Sequence, residues 1–173
     1  MMKMAGLKQL VAESVREGGT AIVDYWLLGA MKIDVVVFDG VRLEAYVIAR
    51  SEREAATKAD RAAMLFEFFD AVSLIIPRSS SVPDIRGWIG VQRFHIDETG
   101  AFQRTISSWG GHCDLRYSGC LAHLKTRDIR EMLAANGAPA PKRESRWSIE
   151  QAALELPLST LRMSAMESIR ARL

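Results

Sequence analysis

Apolar residues recur at helical spacing between Lys3 and Arg16, where Leu7, Leu10, Val11 and Val15 share one face and Gly18-Gly19 ends the run. From Thr20 to Met31 nearly every position is apolar, including Ile22, Val23, Tyr25, Trp26, Leu27 and Leu28. Such a run fits a buried helix or a strand, and a helix capped by Thr20 is expected. The next segment alternates: Ile33, Val35 and Val37 interleave with Asp34, Val36 and Phe38, and β-type residues resume from Val41 to Ala49. Asp39-Gly40 between the two runs predicts a hairpin whose turn residues both take positive φ. Ser51 and Glu54 form an S-x-x-E capping box heading a helix to about Phe68. Ala55, Ala56, Ala59, Ala62, Ala63 and Phe66 give that helix apolar positions suited to close packing on a sheet. Val72 to Ile76 reads as a buried strand ended by Pro77.

Arg78 to Asp84, with three consecutive serines and two flanking prolines, reads as a loop. A second hairpin follows, with Trp88–Ile96 and Ala101–Trp109 joined through Asp97-Glu98-Thr99-Gly100, and Gly100 suits the left-handed residue of a G1 bulge. That register opposes Arg93 to Thr105, His95 to Gln103 and Val91 to Ser107 on a polar face. It places Phe94, Ile96, Phe102 and Ile106 on the core side. Thr126 is expected to cap a helix to Ala135 that Asn136-Gly137 ends, and a second capping box, Ser148 with Gln151, opens the C-terminal helical segment. These elements predict an α+β protein: an antiparallel sheet built from two β-hairpins and a central strand, packed by helices. The expected organisation is a body over residues 1–137, a Pro/Ala/Arg linker over 138–147, and a helical tail over 148–173.

Composition narrows the partners only slightly. The formal net charge of +2 over 173 residues does not mark a nucleic-acid or membrane binder. Charge is uneven, with residues 78–130 carrying an excess of basic side chains, and arginine far outnumbers lysine. The N-terminus lacks the uninterrupted apolar stretch of a secretory signal, and the longest apolar runs fall far short of the ~20 residues that span a bilayer. A cytoplasmic protein that does not engage membranes is therefore expected, with its two cysteines reduced, metal-bound or inert.

Candidate chemistry concentrates in one window, because every Cys and His lies between His95 and His123. Cys113 and Cys120 offer thiolates, and His123, His112 and His95 offer imidazoles, a donor set that zinc accepts. The C-x₆-C-x₂-H spacing departs from common zinc frameworks, and two adjacent ligands such as His112 and Cys113 strain a single site. The same residues allow a cysteine nucleophile with a histidine base and Asp114 as its orienter. Phosphate-loop, dinucleotide, α/β-hydrolase and zincin signatures are absent from the sequence.

Two surfaces offer binding instead. Ser148 to Arg162 resembles a helix-turn-helix, in which Ser159 is expected to cap the recognition helix, Thr160 follows it, and Arg162, Arg170 and Arg172 face phosphates. The separation from Ala153 to Leu161 is shorter than that motif uses and its turn glycine is missing, so an amphipathic helical hairpin packing through Leu154, Leu158, Leu161 and Met166 fits the same residues. The polar hairpin face of Arg93, His95, Gln103, Thr105 and Ser107, with Trp109 beside it, suits a macromolecular partner. The leading expectation is a small non-enzymatic binding or accessory protein, an inhibitor or regulator from a bacterial or mobile-element system, that engages a protein partner or a second copy of itself. No cofactor is expected. A DNA-binding regulator acting through the tail and a zinc- or cysteine-dependent protein are the alternatives.

Overall fold

The computed structural model describes residues 3–16, 18–27, 31–83, 89–108, 110, 117–138, 140 and 143–172. It divides into two compact units, one of residues 1–26 and 32–114 and one of residues 27–31 and 115–173. Six strands and six helices are described: α1 (Met4–Val15), β1 (Thr20–Leu27), β2 (Met31–Phe38), β3 (Leu43–Ile48), α2 (Glu52–Leu65), β4 (Ala71–Pro77), β5 (Gly90–Ile96), β6 (Phe102–Ser108), α3 (Tyr117–Ala122), α4 (Thr126–Ala135), α5 (Arg146–Ala153) and α6 (Leu158–Arg170). None of these helices is long and apolar enough to cross a membrane.

The strands form one sheet in sequential order, β1-β2-β3-β4-β5-β6. The α+β class is as expected, but the sheet is mixed rather than antiparallel. β2–β3 and β5–β6 are antiparallel, whereas β3–β4 and β4–β5 are parallel. The helix α2 between β3 and β4 returns the chain to the end where β3 began, which makes the following strand parallel. Asp70 secures the start of that parallel pair, since its amide donates to Leu43 O and its carboxylate accepts from Leu43 N, both at 2.8 Å.

Residues 20–27 form a strand, not the expected helix. Ile22, Val23, Tyr25 and Trp26 are β-branched or aromatic, types that fit a pleated surface better than a helix. Gly18 (φ +75°) and Gly19 reverse the chain out of α1, and a Cβ on Gly19 would lie 2.9 Å from Phe38 O. The first hairpin also departs from its expected turn. Phe38 pairs with Leu43, so four residues form the loop, and only Gly40 (φ 98°) has positive φ there. Asp39 closes the loop by accepting from the amides of Val41 and Arg42 at 2.8 and 2.6 Å. These bonds, that from Arg42 the stronger, hold its carboxyl below the usual range.

Helix α2 lies against β3 and β4, burying Ala55, Ala59, Ala62 and Leu65. Its cap is as expected at Ser51, which accepts from Glu54 N, although Glu54 reaches back to the Arg50 amide rather than to that of Ser51. Helix α1 belongs to a second core with Val35, Val37, Tyr46, Ile48, Ile75 and Phe94. Its Lys8, only 8% exposed, reaches Asp24 at 2.5 Å and Asp34 at 2.8 Å. Asp24 also meets Lys32 at 3.0 Å, and Asp34 and Glu54 flank Lys58 at 3.6 and 2.9 Å. The result is a chain of alternating charges from β1 to α2.

In the second unit, α3 to α6 bury Leu124, Ile129, Leu133, Ile149, Leu161 and Ile169. Three helix starts differ from their expected caps. Thr126 is the first residue of α4, where Asp128 accepts from Lys125 N at 3.0 Å. Ser145, not Ser148, caps α5. Pro157 precedes α6, which places Ser159 inside the first turn rather than at its cap.

The charge network makes a testable statement. Burial alone would lower the Lys8 pKa, but its bonds to Asp24 and Asp34 outweigh that and raise it. Bonds from Lys8 and Lys32 hold Asp24 low. Asp24 therefore contributes stability above its unfolded pKa of about 3.9 that is lost as pH falls through its folded value, and Lys8 contributes stability below about 10.4 that is lost as pH rises through its own. Lys8→Met is expected to lower unfolding free energy at pH 7 by ~1–3 kcal/mol, the cost of leaving a part-buried charged acceptor without its donor. Urea titrations from pH 3 to 11 should show the difference between variant and parent shrinking at both extremes.

Candidate functional site

Two features of the first unit have the geometry of a site: a polar cleft on the α1 side of the sheet, and the edge strand β6. The cleft has a volume of about 230 Å³ and opens where α1 ends at Val15. Glu44 and Tyr46 of β3, Ser73 of β4, Gln92 of β5, and Arg104 and Ser108 of β6 line it. Alternation along each strand places Glu44, Tyr46, Ser73 and Gln92 on the face that α1 covers farther along.

These side chains form two connected groups. Arg104 donates through Nε to Ser14 Oγ at 2.8 Å, through one terminal nitrogen to Ser14 O at 3.0 Å, and through the other to Gln92 Oε1. Gln92 Nε2 then donates to Ser73 Oγ at 3.0 Å. On the opposite wall, the Tyr46 hydroxyl donates to Glu44 at 2.6 Å. Arg42 lines the same cleft, is exposed, and makes no hydrogen bond or ion pair through its guanidinium among the described residues. A fixed Arg104 and an uncommitted Arg42 thus share one concave surface.

Gly90 sets the spacing at the cleft's end. A Cβ there would lie 2.9 Å from Ser73 Oγ and 3.0 Å from Gly110 N. Between Val91 and Gln92 the ladder slips, so that Val91 opposes Ser108 while Gln92 opposes Ile106. The expected Val91–Ser107 pair is therefore replaced, with Ser107 as the extra residue, and Ser108 Oγ accepts from Val91 N at 3.0 Å. The bulge brings Ser108 to the cleft.

The rest of the hairpin follows the expected register, with Arg93 opposite Thr105 and His95 opposite Gln103. Phe94 and Phe102 stack at 5.7 Å on the core side, whereas Ile106 is exposed. Arg93 is a loop clamp: one terminal nitrogen donates to Arg78 O at 3.0 Å and to Ser80 O. His95 is half-buried, and Gln103, Thr105 and Ser107 are exposed. Trp109 lies outside the described residues.

Of the candidate metal ligands, His112 and Cys113 lie outside the described residues. Cys120 and His123 are fully buried in the second unit, and His95 is on β5 of the first. No group of three His, Cys, Asp or Glu able to hold a metal occurs among the described residues. In the tail, Arg172 donates to His123 O at 2.5 Å and to Ser168 Oγ at 3.2 Å. Ser159 and Arg170 are exposed, and Thr160 and Arg162 are half-exposed. The buried face of α6 carries Leu161, Ala165, Met166 and Ile169, while Leu154 and Leu158 are half-buried.

Sequence reasoning missed the cleft. Its signal was present in the hairpin itself, because the register that put Phe94, Phe102 and Ile106 on the core side also put Gln92 and Arg104 there. Polar residues at core positions need partners.

No protein-family model matches the sequence, and no curated protein matches it. A solved structure, the SPO1766 protein of unknown function from Silicibacter pomeroyi, is similar with a TM-score of 0.56 at 14% identity, covering 83% of this chain and 99% of that one. The likeness is one of fold.

Gly90→Ala is expected to lower stability by ~1–3 kcal/mol, because one of the two atoms it meets is backbone and overpacking forces a shift. A lowered urea midpoint at unchanged slope would record it; an unchanged midpoint would show that Ser73 and Gly110 separate freely.

Proposed function

We propose that this chain is a non-enzymatic binding protein whose working surface is the β5–β6 hairpin, and that the outer edge of β6 takes an extended strand of a second polypeptide. The observation that carries this reading is the asymmetry between the two ends of the sheet. A sheet edge presents a row of backbone donors and acceptors, and proteins that avoid pairing blunt it with charge, proline or a backbone irregularity. β1 carries Asp24 in the left-handed region (φ 58°), bonded to two lysines. β6, of sequence FQRTISS, has no proline and no acid, and its single charge, Arg104, is tied to Ser14 and Gln92. Its exposed Gln103, Thr105 and Ser107 are neutral hydrogen-bonding side chains.

The occupant we commit to is a second copy of this chain. A strand whose single charge is tied inward to Ser14 and Gln92 presents only neutral side chains on its other face when it meets itself, and such an edge favours pairing. Strand addition supplies affinity through main-chain hydrogen bonds and specificity through alternate side chains. The tail offers less to a nucleic acid, since Arg172 is committed to His123 O and Ser159 does not cap α6.

Sedimentation over a concentration series should give a dimer. The double variant Gln103→Lys, Thr105→Lys adds edge charges at exposed positions and is expected to give a monomer with unchanged thermal unfolding of the fold. A parent that stays monomeric at every concentration, or a dimer indifferent to the two lysines, would overturn the assignment.

A further inference from the structure

We propose that the cleft on the α1 face of the first unit is a binding site for a small monocarboxylate bearing a short apolar group. The argument starts from hydrogen-bonding capacity. Arg104 uses one N–H on Ser14 Oγ, one on Ser14 O and one on Gln92 Oε1, which leaves two guanidinium N–H groups without an acceptor among the described residues. The hydroxyls of Ser73 and Ser108 each accept a bond, from Gln92 Nε2 and Val91 N, and retain their own hydrogens to donate. Arg42 adds a guanidinium that makes no hydrogen bond or ion pair among the described residues. On the acceptor side, Glu44 already receives the Tyr46 hydroxyl and Asp39 receives two amides. The guanidinium and hydroxyl donors left over on this lining are the complement of an oxyanion.

Charge selects among oxyanions. Arg42 and Arg104 face Asp39 and Glu44 around one small volume, so the lining is formally neutral. A dianionic phosphate would leave two uncompensated charges close to two carboxylates. A carboxylate leaves one, and meets two guanidinium groups whose fork geometry matches it. The rest of the lining is apolar on the cleft face, with Val15, Val37, Ala71 and Ile106 offering contact to a hydrocarbon group. A volume of about 230 Å³ lies below the ~300–1,000 Å³ of pockets for drug-sized molecules. The ligand is therefore small.

The site is preorganised at its rear and adjustable at its entrance. Arg104 is fixed by three bonds to a helix end and a neighbouring strand, so its orientation costs a ligand little. Arg42 is exposed, has no guanidinium hydrogen bond among the described residues, and supplies the second charge contact on binding.

The experiment is a two-dimensional amide NMR titration of the full chain with butyrate and benzoate, run beside butylamine, methyl butyrate and inorganic phosphate. Saturable shifts confined to amides around Ser73, Gln92 and Ser108 are expected for the two carboxylates and not for the three controls. Arg42→Glu should weaken carboxylate binding by about tenfold or more, the loss of one charge contact and the gain of a like charge. Arg42→Lys should retain most of it. The Gln103→Lys, Thr105→Lys variant, altered on the other face of β6, should bind as the parent does, which separates this site from the edge. Absence of saturable shifts, equal response to butylamine or phosphate, or indifference to Arg42→Glu would overturn the proposal.

Discussion

Helix α1 is held to the sheet at two polar points, and the architecture of the first unit depends on both. At Lys8 a buried amine is shared by Asp24 of β1 and Asp34 of β2. At Ser14, a turn and a half later, Arg104 of β6 takes the hydroxyl and the backbone carbonyl. Around them Leu7, Val11, Ala12 and Val15 supply apolar contact, which is nondirectional and would tolerate rotation or sliding of the helix. The two polar points fix its direction. Gly18 and Gly19 turn the chain out of the helix, and the uncovered part of the sheet beyond Val15 is the cleft.

The arginine-rich composition takes on a specific meaning here. Arg93 holds the carbonyls of Arg78 and Ser80, Arg104 holds that of Ser14, and Arg146 holds those of Leu121 and Leu124 at 3.2 and 3.1 Å. Arg172 does the same for His123. Carbonyls at loop and helix ends lack ladder partners, and a guanidinium satisfies several at once without ever losing its charge. These arginines are internal fasteners, so an excess of arginine over lysine is no sign of phosphate contacts. Arg42 differs from these four, since its exposed guanidinium holds no carbonyl among the described residues.

What could be read from the chain follows from which forces are local. Period-two alternation in residues 33–38 and 90–106, and the Ser51 cap, located β2, β5, β6 and α2 because each signal lies within a few residues of what it specifies. Strand direction is not local. Parallel pairing of β3 with β4 depends on α2 carrying the chain back across the sheet, and the strand–helix–strand order implied it more strongly than the hairpins implied an antiparallel sheet. Residues 20–27 were ambiguous because hydrophobicity alone does not separate a buried helix from a strand, and β-branched content decided the matter. The cleft was hidden for a different reason. Glu44, Ser73, Gln92 and Arg104 lie on four strands and meet only once the register of all four is set.

The hairpin β5–β6 carries two surfaces that are chemically distinct because the side-chain period is two. Gln103 and Thr105 point to one face, while Phe102 and Arg104 point to the other and are tied to α1 and β5. The bulge at Val91 then delivers Ser108 to the cleft rather than to the solvent face. A strand added along the outer edge of β6 would therefore run beside Arg104 without displacing its bonds, since those point across the sheet toward Gln92 and up toward Ser14. Occupancy of the edge and of the cleft involves different atoms of the same strand. Any influence of one on the other would have to pass through the β6 backbone, whose freedom is limited by the pairing of Gln92 with Ile106 and of Phe94 with Arg104.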